Sequence, residues 1–258
     1  MNFIDKYDGF IFDLDGTIYL EDKIIPNAAK VINRLKSLNK KIVFISNKTT
    51  GSIEDYYNFL ISHKFNISKN QFLTSTLITK KYLANKYYGK KFFAIGEKKF
   101  IMEIESSGLE FCENPVKIDI IIITLDRTLN YQKLEIAGQA LDNGAKFFAA
   151  NIDNTCPIDG GEILDAGSTI SALEKRTNKK LQMHFGKPSK YMFTEIMNLM
   201  NLTPKKCLII GDRLETDIAM GNKFGVDTAL VQTGVTKDII HLSKYHPTYK
   251  LNSINNLL

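Results

Sequence analysis

Two hydrophobic patterns alternate along this chain. Short apolar runs that stop abruptly at polar residues predict buried strands, and stretches with apolar residues three and four apart predict helices. The first run, Tyr7, Phe10, Ile11 and Phe12, stops at Asp13 and predicts strand one. Ala28, Val31, Ile32, Leu35 and Leu38 then predict a helix over 24–39, with Pro26 near its start. By the same reading strands fall at 41–45 and 73–74, with helices at 53–63 and 77–86. A second series follows: strands at 91–95, 118–124 and 146–150, and helices at 98–107, 131–143 and 168–177. The last part returns to the opening pattern, with helices at 191–200 and 216–224 and strands at 207–210 and 227–231. Strands alternating with helices of these lengths predict an α/β fold, with parallel sheets covered by helices on both faces.

Composition narrows this only a little. At 258 residues, 44% hydrophobic and 24% charged, the chain is ordinary for a globular protein of one large or two small domains. No apolar run approaches the roughly 18 residues that span a bilayer. The longest, Ile118 to Leu125, is broken by Asp119. The first residues lack a basic start followed by an apolar stretch, so neither a signal peptide nor a membrane partner is expected. Cys112, Cys156 and Cys207 are odd in number and far apart, which predicts no disulfide framework, no metal pair and a cytoplasmic location. The net charge of +6 comes from scattered lysines, the densest being pairs such as Lys80-Lys81 and Lys179-Lys180. That distribution suits small anionic substrates better than nucleic acid, which is not expected as a partner.

Candidate chemistry lies where strands end. Phe12-Asp13-Leu14-Asp15-Gly16-Thr17 places two carboxylates at a strand terminus, on one face by alternation. Such a pair is either a solvated turn or a site where a cation or a shared proton relieves the repulsion. Ser46 and Asn47 follow the second strand and read either as a helix cap or as a hydroxyl and an amide at a site. Gly186-Lys187-Pro188 opens a helix, where Lys187 is either an exposed lysine or an anion contact. Gly211-Asp212 ends an all-apolar strand, with Asp217 close behind, and a carboxylate there requires a metal, a lysine or a hydrogen-bonded partner.

Taken in order, these four clusters resemble the motifs of the haloacid dehalogenase-like hydrolase superfamily: DxDGT at Asp13–Thr17, Ser46, Lys187, and GDxxxxD from Gly211-Asp212 to Asp217. The resemblance covers nearly the whole chain, including an expected final strand over 246–249. Only 33 residues separate Asp13 from Ser46, whereas 141 separate Ser46 from Lys187, so the second α/β series is expected to be an insertion in that longer interval. This is similar to the C2-capped subgroup that includes NagD-like phosphatases, 4-nitrophenylphosphatases and phosphoglycolate phosphatases. The resemblance implies a doubly wound, Rossmann-like core over residues 1–77 plus 184–258 and a smaller α/β cap over 78–183.

It further implies a magnesium-dependent phosphatase acting on small-molecule phosphomonoesters through an aspartyl-phosphate. Asp13 would be the nucleophile, Asp15 the general acid and base, and Ser46 and Lys187 the phosphoryl contacts. Asp13, Asp15 and Asp212 would bind the metal, with Gly16, Thr17, Gly211 and Asp217 in support. Asn47, Lys48, Asn151 and Asp153 would contact substrate, Asn151-Ile152-Asp153 resembling the subgroup's Asn-Pro-Asp. Lys48 departs from the subgroup, which usually carries Asn there. A homodimer through the cap is expected by analogy. The contrasting expectation is a non-catalytic phosphate-binding or regulatory protein on the same fold.

Overall fold

A computed structural model describes residues 3–158, 161–235 and 243–258. The chain divides into two compact units, one of residues 1–46, 52–73 and 187–258, the other of 47–51 and 74–186.

The first unit is built on a six-stranded sheet. Its order is Tyr249–Leu251, Asp227–Val231, Cys207–Gly211, Gly9–Asp13, Lys41–Ser46 and Phe72–Thr74. Gly9–Asp13 is buried along its whole length because it runs between two parallel neighbours, Cys207–Gly211 and Lys41–Ser46. Phe10 and Phe12 share a core with Phe44, Leu208 and Ile210, and the helix Ala28–Ser37 adds Ala28, Val31, Ile32 and Leu35 at helical spacing. That helix starts later than its periodicity predicts, because Lys23–Ile24 is taken up in a short antiparallel hairpin with Tyr19–Leu20.

Two further boundaries shift for identifiable reasons. The helix expected over 216–224 is α-helical only over Ala219–Phe224. It is preceded by a wide turn in which the Ile218 N–H reaches back to the Arg213 carbonyl. The final strand is Tyr249–Leu251 rather than 246–249. Pro247 has no N–H to give a ladder, and Thr228 and Thr248 instead bond reciprocally, each hydroxyl accepting from the other's N–H.

The second unit has its own five-stranded parallel sheet, ordered Met183–His184, Lys146–Ala149, Ile120–Ile123, Lys91–Ile95 and Glu110–Phe111. The four residues Ile120–Ile123 are fully buried, and the predicted start at 118 is cut back because the Asp119 carboxylate accepts the Lys91 N–H. Helices Ala166–Thr177 and Tyr131–Asp142 pack on this sheet through Ile170, Leu173, Ala137 and Leu141. An antiparallel hairpin, Thr155–Ile158 with Gly161–Leu164, was not predicted. No helix among the described residues is long and apolar enough to cross a membrane.

Candidate active site

Strand register assembles the site of the first unit. Asp13 lies opposite Ile45, so Ser46 is the next residue along at the same sheet edge, and Phe12 lies opposite Ile210, so Gly211 and Asp212 follow at the same level. This edge is the carboxyl end of a parallel sheet. The first strand there sits between the second and the later-joining Cys207–Gly211, the reversal point at which open α/β sheets place their ligands. Asp15 stands beyond the strand, half-buried, in an isolated bridge with Tyr19, so strand alternation does not describe its direction. Gly16 takes φ +79°, and a side chain there would collide with the Asp212 carboxylate.

Lys187 is not an exposed lysine at a helix start. The helix begins at Lys190 with Ser189 as its cap, and Lys187 precedes it on a loop at 3% exposure. Its Nζ donates to Asp13 Oδ1 at 2.5 Å and to Asp217 Oδ1 at 2.7 Å. Asp13, Asp212 and Asp217 are all buried, with carboxylate oxygens within 4.8 Å of one another. Three carboxylates against one ammonium leave an excess of negative charge. Burial pushes the Asp13 carboxyl well above its usual range, Lys187 offsetting only part of the effect while Asp217 and Asp212 add to it. Burial and the Asp217 charge push Asp212 up to about 6, against the Val235 N–H that bonds its Oδ2 at 2.7 Å. Burial works against the Lys187 ammonium too, but Asp13 and Asp217 outweigh it and hold the group above the ordinary lysine value.

This donor set fits a hard divalent cation. All three side chains offer oxygen, the ligand type that magnesium takes, and the surplus charge is what such an ion relieves. The Thr17 hydroxyl is also buried with no hydrogen-bond partner among the described residues, leaving capacity for a ligand or a water. The sequence reading missed the segment Thr233-Gly234-Val235. Thr233 Oγ1 donates to the Gly16 carbonyl at 2.5 Å, and a side chain at Gly234 would strike Asp212. Its one signal is a glycine shortly after the Asp227–Val231 strand, which is common in loops.

Comparison with known proteins decides the family. The haloacid dehalogenase-like hydrolase model matches residues 10–110, and a HAD-hydrolase-like model matches 184–257. The sugar-phosphatase AraL of Bacillus subtilis is 33% identical over 249 residues, covering 96% of this chain and 91% of that protein.

The chain belongs to the haloacid dehalogenase-like hydrolases.

Within that family this hydrolase falls in the NagD-like and 4-nitrophenylphosphatase-like subgroup, and its enzyme class is phosphoric monoester hydrolase. The crystal structure of 4-nitrophenylphosphatase from Thermotoga maritima superposes with a TM-score of 0.90 at 28% identity, covering 100% of this chain and 98% of that one. A structure described as a putative nagD protein superposes at 0.87 and 28% identity, covering 98% and 97%.

The remaining sequence-selected residues of the hydrolase, Asn47, Lys48, Asn151 and Asp153, belong to the second unit. Asn47 and Lys48 are half-buried. Asn151 is buried, and its amide bonds to Thr124, Asp153 and Asp165. Asp153 Oδ2 accepts from both Asn47 and Asn151.

Proposed function

We propose that this hydrolase is a magnesium-dependent phosphatase that cleaves small-molecule phosphomonoesters through a phosphorylated Asp13. What carries the reading is the buried Lys187 ammonium bonded to both Asp13 and Asp217 beside Asp212. A lysine so placed offsets part of the cost of burying the Asp13 carboxylate and presents positive charge where phosphoryl oxygens would lie. Asp13, the Asp15 main-chain carbonyl and Asp212 would hold magnesium, which supplies charge neutralisation for the phosphoryl group when bound.

The chain's own residues do the rest. An Asp13 carboxylate oxygen bonds to phosphorus as the ester P–O bond breaks, and Asp15 gives its proton to the departing alkoxide. Asp15 then takes a proton from a water that attacks the phosphoryl group, releasing inorganic phosphate and restoring Asp13. Ser46 and Lys187 bind phosphoryl oxygens, in keeping with a reaction that is mostly positioning and charge stabilisation. Asp217 holds Lys187 in place, and Gly16, Thr17 and Gly211 shape the loops around the carboxylates.

The second unit is read as the cap domain and the seat of substrate choice. The substrate class is phosphorylated small metabolites: sugar phosphates, nucleotides or phosphoglycolate, with p-nitrophenyl phosphate as a surrogate. A cytoplasmic location and a homodimer belong to the same proposal. The test is phosphate release from p-nitrophenyl phosphate with magnesium, repeated after chelation. Asp13→Asn, nearly isosteric but unable to attack phosphorus, is expected to abolish turnover with the fold retained. Substantial activity in a verified, undeamidated preparation overturns the assignment.

A further inference from the structure

The sequence reading expected Asn47, Asn151 and Asp153 to touch substrate, and the structure joins their side chains to one another by hydrogen bonds. The proton count shows that Asn151 is fully engaged. Asn151 has two N–H donors and one carbonyl oxygen. Its Nδ2 donates to Asp153 Oδ2 and Asp165 Oδ1, both at 3.0 Å, and its Oδ1 accepts from the Thr124 hydroxyl at 3.0 Å. With its single proton committed to Asn151, Thr124 must accept from the Thr49 hydroxyl, 2.6 Å away and buried with it. Asp153 Oδ2 accepts a second hydrogen bond, from Asn47 Nδ2 at 2.8 Å. The Asn47 carbonyl in turn accepts from Ser75 Oγ at 2.9 Å.

The five residues 47–51 are thus tied down at the Asn47 side chain, the Asn47 carbonyl and the Thr49 hydroxyl, all to groups of the second unit. On their N-terminal side the chain is already fixed, because Ser46 is the last residue of the strand Lys41–Ser46. Ser46 thus ends the ladder of the first sheet, and the residue that follows it is tied within the second unit. Room for the clamp is kept by Gly186, where a side chain would meet Asn47 Oδ1 and the Ala150 carbonyl.

We propose that Asp153 is a positioning residue: by accepting hydrogen bonds from Asn47 and Asn151 it fixes the segment that follows Ser46, and through it the Ser46 hydroxyl, without touching substrate. The proposal rests on the reading of Ser46 as a phosphoryl contact. It differs from direct recognition in what it predicts. A substrate contact affects substrates selectively, whereas a positioning residue affects every phosphomonoester alike.

The test compares Asp153→Ala, Asp153→Asn, Asn47→Ala and the Asp153→Ala/Asn47→Ala double variant. Kinetics are measured on p-nitrophenyl phosphate and on a hexose 6-phosphate, with inorganic phosphate as competitive inhibitor. Each alanine variant is expected to lose about tenfold or more in kcat/KM, the scale of a hydrogen bond to a charged group. The loss should be equal for both substrates and accompanied by weaker phosphate inhibition. The double variant should lose no more than the worse single, since both break one linkage. Asp153→Asn should recover most of the activity, because its amide oxygen can accept the same two N–H groups. Losses that multiply, that fall on the hexose phosphate alone, or that track the folded fraction with KM and phosphate inhibition unchanged overturn the proposal. Amide hydrogen exchange over 46–51 needs no turnover and is read on the same proteins. Faster exchange in both single variants supports the clamp, and unchanged exchange overturns it whatever becomes of the phosphatase reading.

Discussion

Replacing Lys187 by methionine keeps most of the side-chain volume and removes the charge. In the native protein its ammonium lies 2.5 Å from Asp13 and 2.7 Å from Asp217, inside a group of three buried carboxylates. Taking away one partner of a buried pair costs about 3–5 kcal/mol, because the other charge stays buried and uncompensated. At roughly 2–4 °C per kcal/mol for a protein of this size, Lys187→Met should lower Tm by about 6–20 °C. Asp217→Asn in the same background removes one of the stranded carboxylates and should return part of that loss. Magnesium should raise the variant's Tm by more than that of wild type, since a cation bound only by the native state stabilises it, and here it also replaces the missing charge. For catalysis, losing a preorganised positive group should cost about 10²–10³ in kcat. Calorimetry with and without magnesium, together with phosphate-release kinetics, measures all of this. A variant that melts within a degree of wild type, with Asp217→Asn adding nothing, refutes the view that Lys187 balances the cluster.

Asp15→Asn keeps the main-chain carbonyl but not the proton donor. Its kcat loss should be largest for alkyl phosphates and much smaller for p-nitrophenyl phosphate, whose phenolate leaves without help; equal losses count against general acid catalysis. Lys48→Asn should raise KM for phosphoglycolate about tenfold while leaving a neutral hexose phosphate unchanged, and parallel shifts would remove Lys48 from substrate choice. At the far end of the first sheet, burial draws the Asp227 carboxyl up, but hydrogen bonds from Tyr7 and Lys6 outweigh it and leave the group below its ordinary range. A depressed carboxyl contributes stability above its unfolded value of 3.8 that is lost as pH falls through the folded value. Asp227→Asn should therefore lower Tm at pH 7 and flatten the acid limb of a Tm-against-pH curve; an unchanged acid limb rejects this.

Burial pattern explains what could be read from the sequence. Lys91–Ile95 and Asp227–Val231 lie where the apolar runs put them, because strands walled in by neighbours on both sides leave only their first residue less than fully buried. The two strands of the second unit's hairpin gave no such signal. Thr155–Ile158 and Gly161–Leu164 are partly or fully exposed along their whole length and include Pro157, so neither alternation nor an apolar run marks them. At the site, the DxDGT and GDxxxxD spacings sit at strand ends whose register brings Asp13 and Asp212 to one edge. The burial of Lys187 was not legible, because its partners are 174 and 30 residues away and only the folded sheet brings them near. For Asn151 and Asp153 the residue types pointed to polar work, but the hydrogen bond from Asn47 to Asp153 was not legible, because it joins residues 106 apart that only the folded unit brings together.

The division of the chain also bears on how such enzymes can be recombined. The second unit is not one continuous insert, because residues 47–51 belong to it as fully as 74–186 do. A chimera that exchanges only the long segment would set the foreign counterparts of Thr124 and Asp153 against the resident Thr49 and Asn47, and would lose these hydrogen bonds wherever the parents differ at these positions. The smallest transferable module is two pieces, one only five residues long. Parents that differ at Asn47 or Thr49 should yield working hybrids only when that short piece travels with its unit.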